Sequence, residues 1–319
     1  MSRSIRVLLL GVLLVAPLVS PQTAAACSTC LAADPFLDAG DIAVRPEGEI
    51  SASMQVRGWS KRSGLLPGQG PGKKENDSHR LDLFLSWTPI DRVTLTVDLP
   101  WAFNEITDTR PTERNTSRIG GFGDASLALS GILWRNRDRV PSTWIEGRAL
   151  VKAPTGDSSR SVDGVKDPHL QVGTGSWDFG FGLAGVHRFD KAWLYFSGFY
   201  RLNTEGSLDY EYGDFLLLNS AVHVPLGDAF DQELLDPYTV GFEMNFRYAD
   251  GDEFNGMSYR DSGGSMLYLT PSLRSRLPWS SEGKGPWLRA SVQIPATSSW
   301  LDGSQQEDPI WSVGLQVSF

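Results

Sequence analysis

Apolar and polar residues alternate along most of this chain, and the alternation predicts strands. The clearest run is 238–248. Tyr238, Val240, Phe242, Met244, Phe246 and Tyr248 fall on one face, and Thr239, Gly241, Glu243, Asn245 and Arg247 on the other. A period of two marks a strand with one apolar side, because successive side chains point to opposite faces. The closing stretch, 308–319, repeats the pattern. Trp311, Val313, Leu315, Val317 and Phe319 oppose Ser312, Gly314, Gln316 and Ser318. Ten further runs are read at 49–59, 79–87, 92–101, 124–134, 143–153, 177–188, 193–202, 215–226, 265–276 and 287–296. Short turns such as 88–91 and 189–191 separate some of them. Long polar loops separate the others, including one that runs from 102 to 120 and one at 154–176.

About twelve strands of about ten residues suit a tilted strand that crosses hydrocarbon. An even count returns both chain ends to one side, and long loops then gather on the opposite side. The tryptophans sharpen this. Trp87, Trp134, Trp144, Trp193 and Trp287 fall at turn ends of strands, and Trp59, Trp101, Trp177 and Trp311 at loop ends. Two aromatic girdles are expected where a barrel meets both membrane interfaces. A soluble sandwich would need a second sheet over every apolar face. The expected fold class is therefore all-β, an antiparallel up-and-down transmembrane β-barrel over 47–319. An unpaired edge is not tolerated in lipid, so strand 49–59 is expected to pair with the closing strand. Trp311 is then placed at the outer girdle and Phe319 at the periplasmic rim.

Composition agrees with this picture and narrows it. The net charge is −9, which disfavours a nucleic-acid partner, since phosphates are neutralised by clustered Lys and Arg. Mean hydropathy is −0.22, low for a helical membrane protein but ordinary for strands that are half polar. After the first thirty residues no apolar run reaches helical-span length. Residues 1–26 read as a signal peptide: Arg3 and Arg6, an apolar core at 8–19, and the small-residue site Ala24-Ala25-Ala26. Residues 27–46 form a periplasmic leader with Cys27 and Cys30, in an oxidising compartment. The pair reads as a local disulfide or as two ligands of a metal site, with Asp34 or Asp38 nearby. A thioredoxin-like redox pair would need a βαβ context that the pattern lacks. A lipid anchor on Cys27 would want a Leu-like residue where Ala24 stands.

The polar faces place Arg57, Arg80, Asp82, Asp98, Glu146, Arg148, Lys152, Asp178, Arg188, Arg201, Glu243, Arg247, Arg274 and Arg289 toward the lumen. They either pair and fill it or make it selective. Three glycine motifs flank outer strand ends: 120–124 (GGFGD, with Gly123 and Asp124), 154–157 (PTGD, with Pro154 and Gly156) and 173–178 (GTGSWD, with Gly173 and Asp178). Their glycines suit tight turns and bulges, and their aspartates suit turn hydrogen bonds. Together with the closing strand, these motifs resemble the outer-membrane transporter family named for the MetA pathway of phenol degradation. That family is related in build to fatty-acid channel barrels. The resemblance covers about 47–319 and leaves the Cys27 leader outside. It implies a channel for small, often hydrophobic or aromatic, molecules. The terminal strand that ends at Phe319 resembles the element read by the barrel assembly machinery.

An enzyme is the rival class. Twelve-stranded outer-membrane phospholipases use a Ser–His pair, but His79, His169, His187 and His223 are followed by unrelated residues. No triad spacing, HExxH or phosphate loop is found, so neither catalysis nor a cofactor is expected. A structural barrel that handles a metal or partner through Cys27 and Cys30 is the other alternative. The expected partners are outer-membrane lipid, the assembly machinery and a small-molecule solute.

Overall fold

The computed structural model describes residues 45–64, 73–138, 141–164, 166–258, 262–277, 285–296 and 306–319. Its strands are β1 (Ile50–Gly64), β2 (Lys73–Ile90), β3 (Val93–Arg110), β4 (Glu113–Phe122), β5 (Ser126–Arg135), β6 (Thr143–Lys152), β7 (Asp178–Arg188) and β8 (Trp193–Leu202). Then come β9 (Tyr210–Glu211), β10 (Phe215–Pro225), β11 (Tyr238–Ala249), β12 (Glu253–Phe254), β13 (Met257–Ser258), β14 (Gly264–Arg276), β15 (Trp287–Pro295), β16 (Gln306–Glu307) and β17 (Ile310–Ser318). β4 and β5 continue one another along the wall. β9, β12 and β13 form a small separate sheet in the loops. β16 and β17 are likewise successive parts of one path along β1. Twelve strand paths remain, each antiparallel to its neighbours. β1 pairs with both β2 and β17, which closes the cylinder. The closing register runs from Ser51 opposite Ser318 to Gly58 opposite Trp311, the pairing expected from the edge argument.

Each strand keeps one buried and one exposed parity. In β11, Glu243, Asn245 and Arg247 are buried, whereas Val240, Phe242 and Tyr248 are exposed. A single sheet closed on itself has only its interior to bury into, so the buried parity faces inward. The exposed parity is apolar along the strands, with Leu83, Leu85, Leu99, Leu129, Leu183 and Phe196 among its residues. In water such a continuous apolar band would be a large liability; in lipid it is the required surface.

Two expectations need correction. The loop read at 102–120 is a β-hairpin: β3 runs on to Arg110 and β4 returns from Glu113, paired from Arg110 opposite Glu113 to Trp101 opposite Phe122. Its outer half is polar on both faces, because it stands beyond the apolar band, and so it shows no amphipathic alternation. The girdles also hold fewer tryptophans than expected. Trp87, Trp101, Trp134, Trp177 and Trp311 are exposed on the barrel's outside. Trp59 and Trp144 are buried inside, at 6% and 4% exposure. Trp59 shares the inward parity of Arg57, and Trp144 that of Glu146. Trp193 and Trp287 are half-buried, with Trp193 packed against Trp144.

The interior is packed rather than bare. Trp59, Leu150, Phe199, Phe215, Leu217, Met266 and Tyr268 form an apolar cluster within it. Gly180 and Gly182 make room for one of these rings, since a Cβ at either position would strike Phe199. Side-chain ladders fill the next levels, such as Ser197–Asn219–Asn245–Thr270.

Candidate functional site

The site stands at the loop end of the barrel, where the three glycine motifs converge. Gly123, Asp124 and Ala125 interrupt the wall between β4 and β5. The segment after β6 crosses this gap. Gly156 passes so close that a Cβ on it would lie 2.7 Å from the Gly123 carbonyl carbon, 2.8 Å from the Gly173 Cα and 2.9 Å from the Asp124 nitrogen. Three backbone segments meet there without side chains between them, a packing only glycine allows.

Asp124 closes the junction. Its carboxylate accepts hydrogen bonds from the Gly156 N–H (2.9 Å), the Thr174 N–H (2.7 Å) and the Thr174 hydroxyl (2.9 Å). Lys152 reaches the same carboxylate at 3.1 Å and Asp178 at 2.6 Å. Arg201 extends the chain, 2.9 Å from Asp178. The motifs therefore do supply the turn hydrogen bonds expected of them, but to one shared node rather than three separate turns. Pro154 leads the chain out of β6 into this crossing, half-buried.

From the node, segment 157–176 folds over the mouth. Leu170 is buried against Ile106 and Ile119, inside the base of the β3–β4 hairpin. The Asn104 amide donates to the carbonyls of Leu170 (3.3 Å) and Gln171 (2.8 Å). Tyr212 donates to the Pro168 carbonyl at 2.9 Å, and Lys74 pairs with Asp167 at 2.8 Å. Burial opposes ionisation of Asp167, but the His169 hydrogen bond and the Lys74 charge outweigh it. The carboxyl is held well below the ordinary range.

Beneath this cover lies a cavity of about 100 Å³. Trp59 and Phe215 form apolar walls, and Arg80, Asn104, Lys152 and Arg201 supply polar ones. The Arg201 guanidinium lies over the Phe215 ring, 5.5 Å from its centre. The cavity thus offers an aromatic surface edged by donors and by the carboxylates of Asp124 and Asp178, which suits small molecules that are part apolar and part polar.

Most of the sequence-predicted interior charges do face inward, and they do so in pairs. Arg57 meets Asp82 at 2.9 Å; Arg80 bonds Asp82 and lies 3.2 Å from Asp98. Arg148 pairs with Glu146 at 2.7 Å. Arg289 (2.8 Å) and His223 (3.3 Å) both reach Glu243. Arg247 and Glu243 are 1% and 0% exposed on the inner face, so neither meets lipid. Arg188 is the exception. It ends β7 with inward parity, opposite Trp193 of β8, but stands exposed, its guanidinium 5.2 Å from the Trp193 ring centre. The interior aromatics Trp59, Phe199 and Phe215 were missed in the sequence. Their parity was the signal that could have found them: Trp59 shares it with Arg57, Phe199 with Arg201, and Phe215 with Asn219. Cys27 and Cys30 lie outside the described residues.

No family model and no curated protein sequence matches the chain. Among solved structures, an outer-membrane channel from Pseudomonas putida F1 superposes with a TM-score of 0.64 at 14% identity. The match covers 88% of this chain and 99% of that one. The shared fold is the closed, twelve-stranded antiparallel β-barrel. The barrel build implied by the motif resemblance is therefore present. Looser likenesses are a monoaromatic hydrocarbon channel, CymD (TM-score 0.45, 9% identity, 86% and 89% covered), and the translocator domain of an autotransporter from Neisseria meningitidis (0.46, 8%, 86% and 90%).

Proposed function

We propose that this barrel is a passive outer-membrane channel for small organic molecules, with single-ring aromatic or similarly amphiphilic solutes as the fitting class. The observation that carries the reading is the covered cavity at the mouth, walled by Trp59 and Phe215 and edged by Arg80, Arg201 and Asn104. Its volume of about 100 Å³ is that of one small ring rather than of a lipid or oligosaccharide. The likeness to the Pseudomonas channel supports the reading at the level of the fold. Catalysis has no part in it. His223 is held by Glu243 inside the wall, His169 belongs to the loop's contacts, and His187 bonds Thr143 at the turn end.

In this reading residues 1–26 direct export, 27–46 lie in the periplasm, and the strand ending at Phe319 is the handle for assembly. Liposome swelling tests the channel directly. Vesicles holding the full mature chain should swell faster than empty ones in benzyl alcohol, phenol or benzoate. They should swell no faster in a trisaccharide. Equal rates for all solutes, or no swelling above empty vesicles, would remove the reading.

A further inference from the structure

The charged side chains around the mouth cavity balance one another. Lys152, Arg201, Asp124 and Asp178 line it together. Lys152 lies 3.1 Å from Asp124 and 2.6 Å from Asp178, and Arg201 lies 2.9 Å from Asp178. Two cations thus meet two carboxylates, and none of the four is more than 8% exposed. Arg80 also lines the cavity and belongs to a second set. It stands directly opposite Arg57 in register, where like charges repel. Asp82 bonds both guanidinium groups, and Asp98 lies 3.2 Å from Arg80. This set too holds two cations and two carboxylates. His169 is the remaining group of the described lining that could take up charge near neutral pH. Its Nδ1 is 3.4 Å from Asp167 and its Nε2 3.3 Å from the Tyr210 hydroxyl, and Asp167 is matched by Lys74. The chain as a whole carries a net charge of −9, so the balance at the mouth is not inherited from the composition.

Balance has a consequence for what the cavity can hold. A solute that enters gives up water. An ion of either sign would lose its hydration and find only charges already neutralised by their neighbours. An uncharged ring with a hydroxyl loses far less, and Trp59 and Phe215 receive its apolar faces. The same balance makes the site sensitive to single changes. Deleting one charge leaves its partner buried and uncompensated, and a solute of the opposite sign then supplies what is missing.

We infer that the two balanced sets filter solutes by charge, so that the cavity holds uncharged ring alcohols in preference to ring carboxylates or ring ammonium ions. The inference rests on the channel reading above and adds the charge of the favoured solute. The Arg80–Asp98 pair is the place to alter the filter. Arg80 reaches the cavity while Asp98 stands behind it, outside the lining, so the charge can be changed without removing a wall. The other set also ties down the cover through Asp124.

Equilibrium dialysis of the full mature chain in lipid nanodiscs, with empty nanodiscs subtracted, tests it at neutral pH with labelled benzyl alcohol, benzoate and benzylammonium. The native barrel should hold the alcohol roughly tenfold or more tightly than either ion. Asp98→Asn leaves a cation in excess and should raise the benzoate-to-alcohol affinity ratio roughly tenfold, the effect of one unit charge about 10 Å away at an effective dielectric of about 20. Arg80→Gln leaves a carboxylate in excess and should raise the benzylammonium-to-alcohol ratio instead. The double variant restores the balance and should return to the native order. A general loss of fold would not move the two ratios in opposite senses, and heat-modifiable migration on gels confirms that each variant is a closed barrel. Equal native affinity for the alcohol and either ion, no binding of any of the three, or ratios unmoved in both single variants would overturn the inference. The liposome assay above then decides the channel separately: swelling above empty vesicles leaves it standing, and none removes both.

Discussion

Asp124 is the sharpest test of how the mouth is held. Replacing it with alanine removes acceptors for the Gly156 N–H, the Thr174 N–H and the Thr174 hydroxyl, and one of the two carboxylates around Lys152. Hydrogen bonds to a charged group contribute about 1.5–3 kcal/mol each, and they do not add fully. Breaking a buried pair by deleting one partner costs about 3–5 kcal/mol. Lys152 keeps Asp178, so the lower part of that range applies. A loss of about 3–4 kcal/mol shifts the docked-to-undocked ratio of segment 157–176 by roughly two to three orders of magnitude. Trypsin reads this directly, because the segment carries Arg160 and Lys166. The native barrel should resist cleavage there, and Asp124→Ala should be cut far faster while staying heat-modifiable. Asp157→Ala is the control. Its pair with Arg160 is about half exposed on both sides and contributes no more than about 1 kcal/mol. If Asp124→Ala is cut no faster than native, or no faster than Asp157→Ala, the node does not hold the cover.

Gly180→Ala should destabilise by about 1–3 kcal/mol through the Phe199 ring, and Phe199→Leu should restore most of that loss; denaturant unfolding of the single and double variants checks it. The lipid-facing band predicts that Leu183→Arg, at a position 59% exposed mid-strand, costs about 2–4 kcal/mol in lipid vesicles. A cost near zero would mean that this face meets water. The depressed Asp167 carboxyl stabilises the docked segment above its ordinary value of 3.8, and that contribution is lost only as pH falls through the lower, folded value. Docking should therefore persist to pH 4.5. In Lys74→Met the carboxyl loses one of the influences that depress it, so undocking should begin at higher pH; hydrogen exchange of amides 169–171, corrected for intrinsic rate, would show it.

What the sequence made legible follows from where lipid lies. Alternation is imposed only where one face of a strand meets hydrocarbon, so all twelve membrane-crossing runs were visible, but β1 runs on to Gly64, β2 starts at Lys73 and β3 reaches Arg110, past the ends read at 59, 79 and 101. Beyond the bilayer both faces meet water, and the pattern vanishes. That is why the β3–β4 hairpin read as a loop. The glycine motifs were legible as turns, yet their meeting was not. Gly123, Gly156 and Gly173 are brought together by contacts across 33 and 17 residues of chain, and no local pattern encodes such a contact.

The tryptophans show two rules in conflict, and which one wins is instructive. Position at a strand end put Trp59 and Trp144 in the girdles; parity put them inside, with Arg57 and Glu146. Parity wins because a strand cannot turn one side chain outward without turning its neighbours inward. An aromatic residue on the polar parity is thus a statement about the interior. Trp59 and Phe215, on that parity at the loop end, are the walls of the mouth cavity, and Phe215 carries Arg201 across its face. Polar interior and apolar exterior is too coarse a rule for this barrel. Its inner face mixes rings with guanidinium groups, as Trp59, Phe215 and Arg201 do around the mouth cavity.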